Sequence, residues 1–168
     1  TPLKDFCNVM ARGIIAIGTY GGGEVVRVRL TDGTSQILLA SHEGMAIRFN
    51  ASDVRSMGRP AYGVRGMHLG TKDHIVGMAV TKHKLNGDAA KKLEKAEKEG
   101  EVVDASTILT SQLILSVTEN GYGKRTDIEA YRLQTRGGKG VINVKTTAKN
   151  GNVSTILLVD EHSECVVI

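Results

Sequence analysis

The sequence predicts an all-β fold made of repeated antiparallel units. Short aliphatic, β-branched runs recur along the chain at strand length. Glycine and Asx turn words separate them. A basic residue, a glycine and an aliphatic run are also written three times, as Arg12-Gly13-Ile14-Ile15, Arg65-Gly66-Met67-His68-Leu69 and Lys139-Gly140-Val141-Ile142. The two later copies extend backwards, Gly44, Arg48, Arg55, Arg59, Arg65 and Gly66 matching Gly121, Arg125, Arg132, Arg136, Lys139 and Gly140. Stacked repeat units need recurring aliphatic positions to build a core.

The predicted strands fall in order at 14–17, 25–30, 36–40, 45–49, 74–80, 113–117, 141–144, 155–159 and 165–168. Val26, Val28 and Leu30 alternate with Arg27 and Arg29, and Met45, Ile47 and Phe49 alternate with Ala46 and Arg48. Such alternation marks antiparallel strands with one face better buried than the other. Turn signals lie between the runs, among them Gly21-Gly22-Gly23, Glu43-Gly44 and Asn120-Gly121. Thr31-Asp32-Gly33-Thr34 and Lys149-Asn150-Gly151-Asn152 read as tight hairpins.

Residues 82–107 break the pattern, with six lysines against six acids and no wide apolar stripe. This reads as a charged insertion between strands, with a short helix capped by Asp88 and ended by Gly100. It accounts for an uneven period, since Gly13 to Gly66 is 53 residues and Gly66 to Gly140 is 74. Removing about twenty residues restores a unit near 50, the size of a β-propeller blade. About three units are then expected, at roughly 1–49, 50–125 and 126–168. The chain begins and stops inside a unit, as expected of a piece of a longer array.

Charge sharpens the functional reading. The whole chain carries a formal +4. Residues 44–66 hold four arginines against Asp53, and residues 121–140 hold five cations against Asp127 and Glu129. Each stretch is thus strongly positive while the remainder is slightly acidic, which predicts a stripe of positive potential and a polyanionic partner. Repeated surface arginines have no packing reason to recur. Trp is absent and aromatics are 4%, so base stacking on aromatic faces is disfavoured and duplex backbone is the expected nucleic-acid target.

Other function classes find less support. Gly137-Gly138-Lys139-Gly140 lacks the spacing and the following Ser or Thr of a nucleotide phosphate loop. His162 and Cys165, near Asp160, Glu161 and Glu164, stand in a turn with no second ligand cluster. His42, His68, His74 and His83 show no nucleophile–base spacing. Cys7 and Cys165 form no close pair, which fits a reducing, cytoplasmic setting, and no apolar run reaches the roughly 18 residues of a membrane span.

Several long words resemble the C-terminal domain of bacterial DNA gyrase A: Val28-Arg29-Leu30-Thr31-Asp32-Gly33, Gly44-Met45-Ala46-Ile47-Arg48-Phe49, Gly63-Val64-Arg65-Gly66, Glu119-Asn120-Gly121-Tyr122-Gly123-Lys124-Arg125-Thr126 and Gly137-Gly138-Lys139-Gly140-Val141-Ile142. The resemblance implies a β-pinwheel, a propeller-like array of four-stranded antiparallel blades whose rim binds and bends duplex DNA. In that reading Arg48, Arg55, Arg59, Arg65, Lys124, Arg125, Arg132, Arg136, Gly137, Gly138, Lys139 and Lys145 contact DNA. It further implies no catalytic, metal or cofactor site in this part, with ATP and Mg acting elsewhere in a type II topoisomerase. The implied partners, besides double-stranded DNA, are the remainder of gyrase A and its companion gyrase B.

Gln134-Thr135-Arg136-Gly137-Gly138-Lys139-Gly140 departs from the family's Gln-Arg-Arg-Gly-Gly-Lys-Gly box at its second position, so it reads as a degenerate copy. Two alternatives stay open: the corresponding C-terminal domain of topoisomerase IV, and a propeller module that binds an acidic protein.

Overall fold

Strand β1 (Gln36–Ser41) and strand β2 (Met45–Asn50) make an antiparallel hairpin, with Ile37 opposite Phe49 and Leu39 opposite Ile47. The computed structural model to which they belong describes residues 1–7, 11–81 and 112–167. β3 (Ile75–Thr81) pairs with the other side of β1. The second hairpin joins β4 (Leu113–Thr118) to β5 (Gly123–Asp127), and β7 (Val153–Val159) flanks β4 as β3 flanks β1. The two-residue β6 (Val141–Ile142) follows β5 in the chain yet pairs with β2. One sheet therefore has the order β3-β1-β2-β6 and the other β5-β4-β7, all pairs antiparallel.

Glycine permits this interlock. Gly140, with φ +81°, lies so close to the Ala46 carbonyl that a Cβ would overlap it, and Gly44, with φ +89°, lies equally close to the Val144 carbonyl. Both positions need left-handed backbone and no side chain. β6 stops at Ile142 because the next two amides, of Asn143 and Val144, turn to the Gly44 carbonyl at 2.9 and 3.1 Å.

The main core lies between the sheets. Leu38, Ala40, Ala46, Val76 and Ala79 meet Ile114, Ile128, Tyr131, Val153 and Ile156. The alanines keep the sheets close, and a Cβ on Gly77 would run into the Ile156 side chain. Burying each large aliphatic side chain contributes about 2 kcal/mol. A second cluster, Ile47, Phe49 and Met67, covers the opposite face of the first sheet. β2 is thus buried on both faces, unlike the one-sided strand that its alternation predicts.

Five of the predicted strands are present with shifted ends, at 36–41, 45–50, 75–81, 113–118 and 153–159, and a sixth is trimmed to 141–142. Residues 14–17 and 25–30 are not strands. Counted by their pairing, two units are seen, residues 36–81 and 113–159, in which β3 and β7 each pair with the strand that opens the unit, whereas 25–30 has no such strand ahead of it among the described residues. Val25, Val26, Val28 and Leu30 are accordingly exposed. Residues 165–167 also lie outside any strand, with Val166 and Val167 exposed. β5 escaped the aliphatic pattern because it is a polar edge strand, Gly-Lys-Arg-Thr-Asp.

The turn at 31–34 is real but joins no strand pair. Asp32 Oδ1 accepts from the Thr34 amide, the Ser35 amide and the Ser35 hydroxyl at 2.8–3.0 Å. These bonds, the Thr34 amide first, hold its carboxyl down at about 2. At 149–152 the Asn150 side chain closes the loop instead, its Oδ1 accepting from the Thr147 amide at 2.7 Å. The expected insertion at 82–107 lies outside the described residues. Among the described residues no helix is long and apolar enough to cross a membrane.

Candidate nucleic-acid interface

The repeated basic words come together in space. The Arg136 guanidinium donates to the carbonyls of Asp53 and Arg65, both at 3.0 Å. Beside it the Gly137 amide donates to the Gly66 carbonyl at 2.6 Å, and the His68 amide donates to the Gly138 carbonyl at 2.8 Å. Arg65-Gly66 of one unit and Arg136-Gly137-Gly138 of the next are therefore laced side by side. Two of the five guanidinium N–H donors on Arg136 are engaged and its charge is retained. Lys139 is exposed next to this seam.

Arg55, Arg65, Lys124, Arg125, Arg132 and Lys145 are also exposed. Arg125 sits on the edge strand β5, opposite Leu115 of β4. Lys124 Nζ donates to the Asn143 carbonyl at 3.0 Å. Arg59 is half-buried, donating to the Ile15 carbonyl at 2.8 Å with its guanidinium 5.9 Å from the Phe6 ring centre. Among the described residues none of these cations is paired with a carboxylate.

Arg48 stands apart. It is 7% exposed, and its guanidinium donates to Gln36 Oε1 (2.7 Å), to the carbonyls of Ile128 (2.9 Å) and Tyr131 (3.2 Å), and to both Glu129 carboxylate oxygens (3.1 and 3.2 Å). Its place in the repeated basic stretch predicts a DNA contact, whereas its guanidinium faces the junction between the sheets. Register explains why: Arg48 lies opposite Leu38 and shares a strand face with Ala46, the face that builds the main core. The alternation of β2 sets Arg48 with Ala46 on the less apolar face, and no local pattern marks that face as covered by the second sheet.

A buried polar group went unseen in the sequence. Asn143, 2% exposed, accepts the Tyr131 hydroxyl at 2.7 Å and donates to Ser116 Oγ at 2.9 Å. Burial pushes the Tyr131 phenol above its ordinary value. At the tips of the sheets His42 and His74 stack with ring centres 4.5 Å apart, and His42 Nε2 lies 3.1 Å from Glu119 Oε1. The His42 contact, followed by the Asn152 amide, lowers the Glu119 carboxyl. Asp160 accepts from the His162 amide and the Ser163 hydroxyl in an exposed turn. Among the described residues no group of His, Cys, Asp and Glu is arranged to hold a metal ion.

The family model for the DNA gyrase C-terminal domain, described as a beta-propeller, matches residues 35–82 and 112–160, the two segments that build the two sheets. The chain belongs to this family. It is similar to DNA gyrase A of Haloquadratum walsbyi, 39% identical over 156 residues, which takes in 93% of this chain and 15% of that protein. DNA gyrase A of Escherichia coli (strain K12) is 35% identical over 168 residues, 100% of this chain and 16% of the relative. The chain thus spans only about a sixth of the length of these gyrase proteins.

Among solved structures, a DNA gyrase A C-terminal domain superposes with a TM-score of 0.67 at 26% identity, covering 89% of this chain and 42% of that one. The C-terminal domain of a DNA topoisomerase IV reaches 0.74 at 23% identity, covering 95% and 42%, a likeness of fold. The expected all-β, propeller-type architecture of the gyrase family is therefore confirmed.

Proposed function

We propose that this domain binds and wraps duplex DNA for a gyrase, itself without catalytic chemistry, and presents the bent duplex to a cleavage core formed by the rest of gyrase A together with gyrase B. The reading is carried by one observation: exposed arginines and lysines of two successive units have no carboxylate partner among the described residues, while their basic words are laced into one seam.

Guanidinium groups take phosphate oxygens in a two-pronged geometry, and closely approaching glycine backbone adds amide donors. Arg55, Arg65, Arg125, Arg132, Arg136, Lys139 and the Gly138 amide supply both kinds of group, the Gly137 amide being taken by the Gly66 carbonyl. Arg48 is excluded from the set, because its donors are already spent on protein oxygens. Bending a short duplex costs on the order of several kcal/mol, which additional phosphate neutralisation and counterion release offset. Contacts of this kind read no base sequence.

The test is duplex binding by the full chain across a salt series. A steep fall of affinity with salt, indifferent to sequence, is expected, and Arg125→Ala should reduce the logarithmic slope by about 0.9. A flat slope would overturn the proposal.

A further inference from the structure

The two units differ chemically at equivalent places. In the first, Leu39 faces Ile47 across the hairpin, and Leu69 and Met45 pack with them around Phe49 and Met67. In the second, the ladder puts Ser116 opposite Lys124 where Leu39 faces Ile47. The repeat alignment sets Tyr122 in place of Met45, Thr126 in place of Phe49 and Asn143 in place of Leu69. Part of the apolar cluster has been exchanged for polar and charged groups, while Ile114 in place of Ile37 and Val141 in place of Met67 stay apolar.

That exchange forfeits roughly 2 kcal/mol for each aliphatic side chain no longer buried. In its place is a cavity of about 240 Å³. Ser116, Thr118, Tyr122, Lys124, Asn143 and Lys145 line it, and among the described residues no Asp or Glu does. Lys124 is fixed by its single bond to the Asn143 carbonyl, so two ammonium protons remain to donate. Asn143 is itself held by Tyr131 and Ser116. A third cation, Lys149, stands 5.7 Å from the Tyr122 ring centre at the same end of the unit. Polar groups placed where a repeat elsewhere keeps a core, with cations and no compensating anion, are arranged for an anionic ligand.

We infer that this cavity seats a phosphate group between Lys124 and Lys145, supplied either by a DNA backbone or by free phosphate. The backbone form of the inference rests on the duplex-binding reading above. The free-phosphate form does not.

The test follows the amides of Gly123, Lys124 and Asn143 by ¹H–¹⁵N NMR in the full chain, at constant ionic strength, with a short duplex in one titration and inorganic phosphate in another. Saturable shifts at these amides are expected, abolished by Lys124→Met and weakened by Lys145→Gln, an exposed change that spares the fold. With the duplex as source, each variant also reduces the salt slope by about 0.9. Shifts with inorganic phosphate alone assign the seat to the free anion. If neither ligand moves these amides while the chain still binds duplex with a steep slope, the seat is refuted and the proposed function stands. A flat slope with phosphate-induced shifts reverses both outcomes, keeping the seat and overturning the function.

Discussion

Arg48 and Glu129 form an ion pair at 3.1 Å that joins the two sheets, the arginine 8% exposed along its side chain and the glutamate 48%. Removing the arginine takes the donor from Gln36 Oε1 and from the Tyr131 carbonyl and breaks the ion pair, while the Ile128 carbonyl keeps the Tyr131 amide. Arg48→Ala should therefore cost about 2–4 kcal/mol in urea unfolding, less than for a fully buried pair because water reaches Glu129. Its repeat counterpart Arg125 is exposed, and Arg125→Ala should change stability by no more than about 0.5 kcal/mol. Equal losses for the two variants would contradict the structural role assigned to Arg48.

Two left-handed glycines separate backbone conformation from close approach. Gly121, with φ +78°, has nothing within reach of an added Cβ, whereas Gly140 would drive one into the Ala46 carbonyl. Gly121→Ala should cost about 1 kcal/mol, the conformational penalty alone. Gly140→Ala adds displacement of β6 from β2 and should cost about 3 kcal/mol or more. Thermal melts of the two variants make the comparison, and similar melting temperatures would mean that β6 does not hold the units together.

The Tyr131 hydroxyl is the buried partner of Asn143 at 2.7 Å. Tyr131→Phe keeps the packing and leaves Asn143 Oδ1 short of a donor, so a loss of about 1–2 kcal/mol is expected. Spectroscopic pH titration should show the wild-type phenol ionising above the ordinary tyrosine value of 10.0, since burial opposes the charged form. A normal titration would place the ring in water.

Glu119 bridges the sheet tips through His42 and the Asn152 amide. Its carboxyl is depressed below the ordinary 4.5, chiefly by the His42 contact. A depressed carboxyl stabilises the fold above its unfolded value and loses that contribution as pH falls through the lowered one. His42→Ala should return the Glu119 titration, followed through its side-chain carboxyl carbon, toward 4.5. An unchanged midpoint would assign the depression to Asn152 alone.

Much of the fold was legible because apolar periodicity is a local property: 36–40, 45–49 and 113–117 are strands nearly as the sequence marks them. What failed depended on partners. Val26, Val28 and Leu30 have the alternation of a strand but no ladder to join among the described residues, and are exposed. β6 pairs across units, a choice that no local pattern encodes. At the candidate interface a basic residue in a repeat marks charge but not direction, so Arg48 and Arg125 look alike in the alignment. What separates them is packing: the second sheet, with Glu129, covers the face of β2 that carries Arg48, and among the described residues no further sheet covers Arg125.

Arg136 combines two tasks that substitution can separate. Its fork spans the carbonyls of Asp53 and Arg65, and its charge sits in a basic word that also holds Lys139. Lysine keeps the charge but cannot reproduce the planar fork. Arg136→Lys should therefore leave the salt slope of duplex binding intact while hydrogen exchange quickens at the Gly137 and His68 amides, which cross the same seam. Arg136→Gln removes the charge and should lower the slope by about 0.9. Unchanged exchange in the lysine variant would show that the seam holds without the fork, and an unchanged slope in the glutamine variant would show that this cation does not face the polyanion.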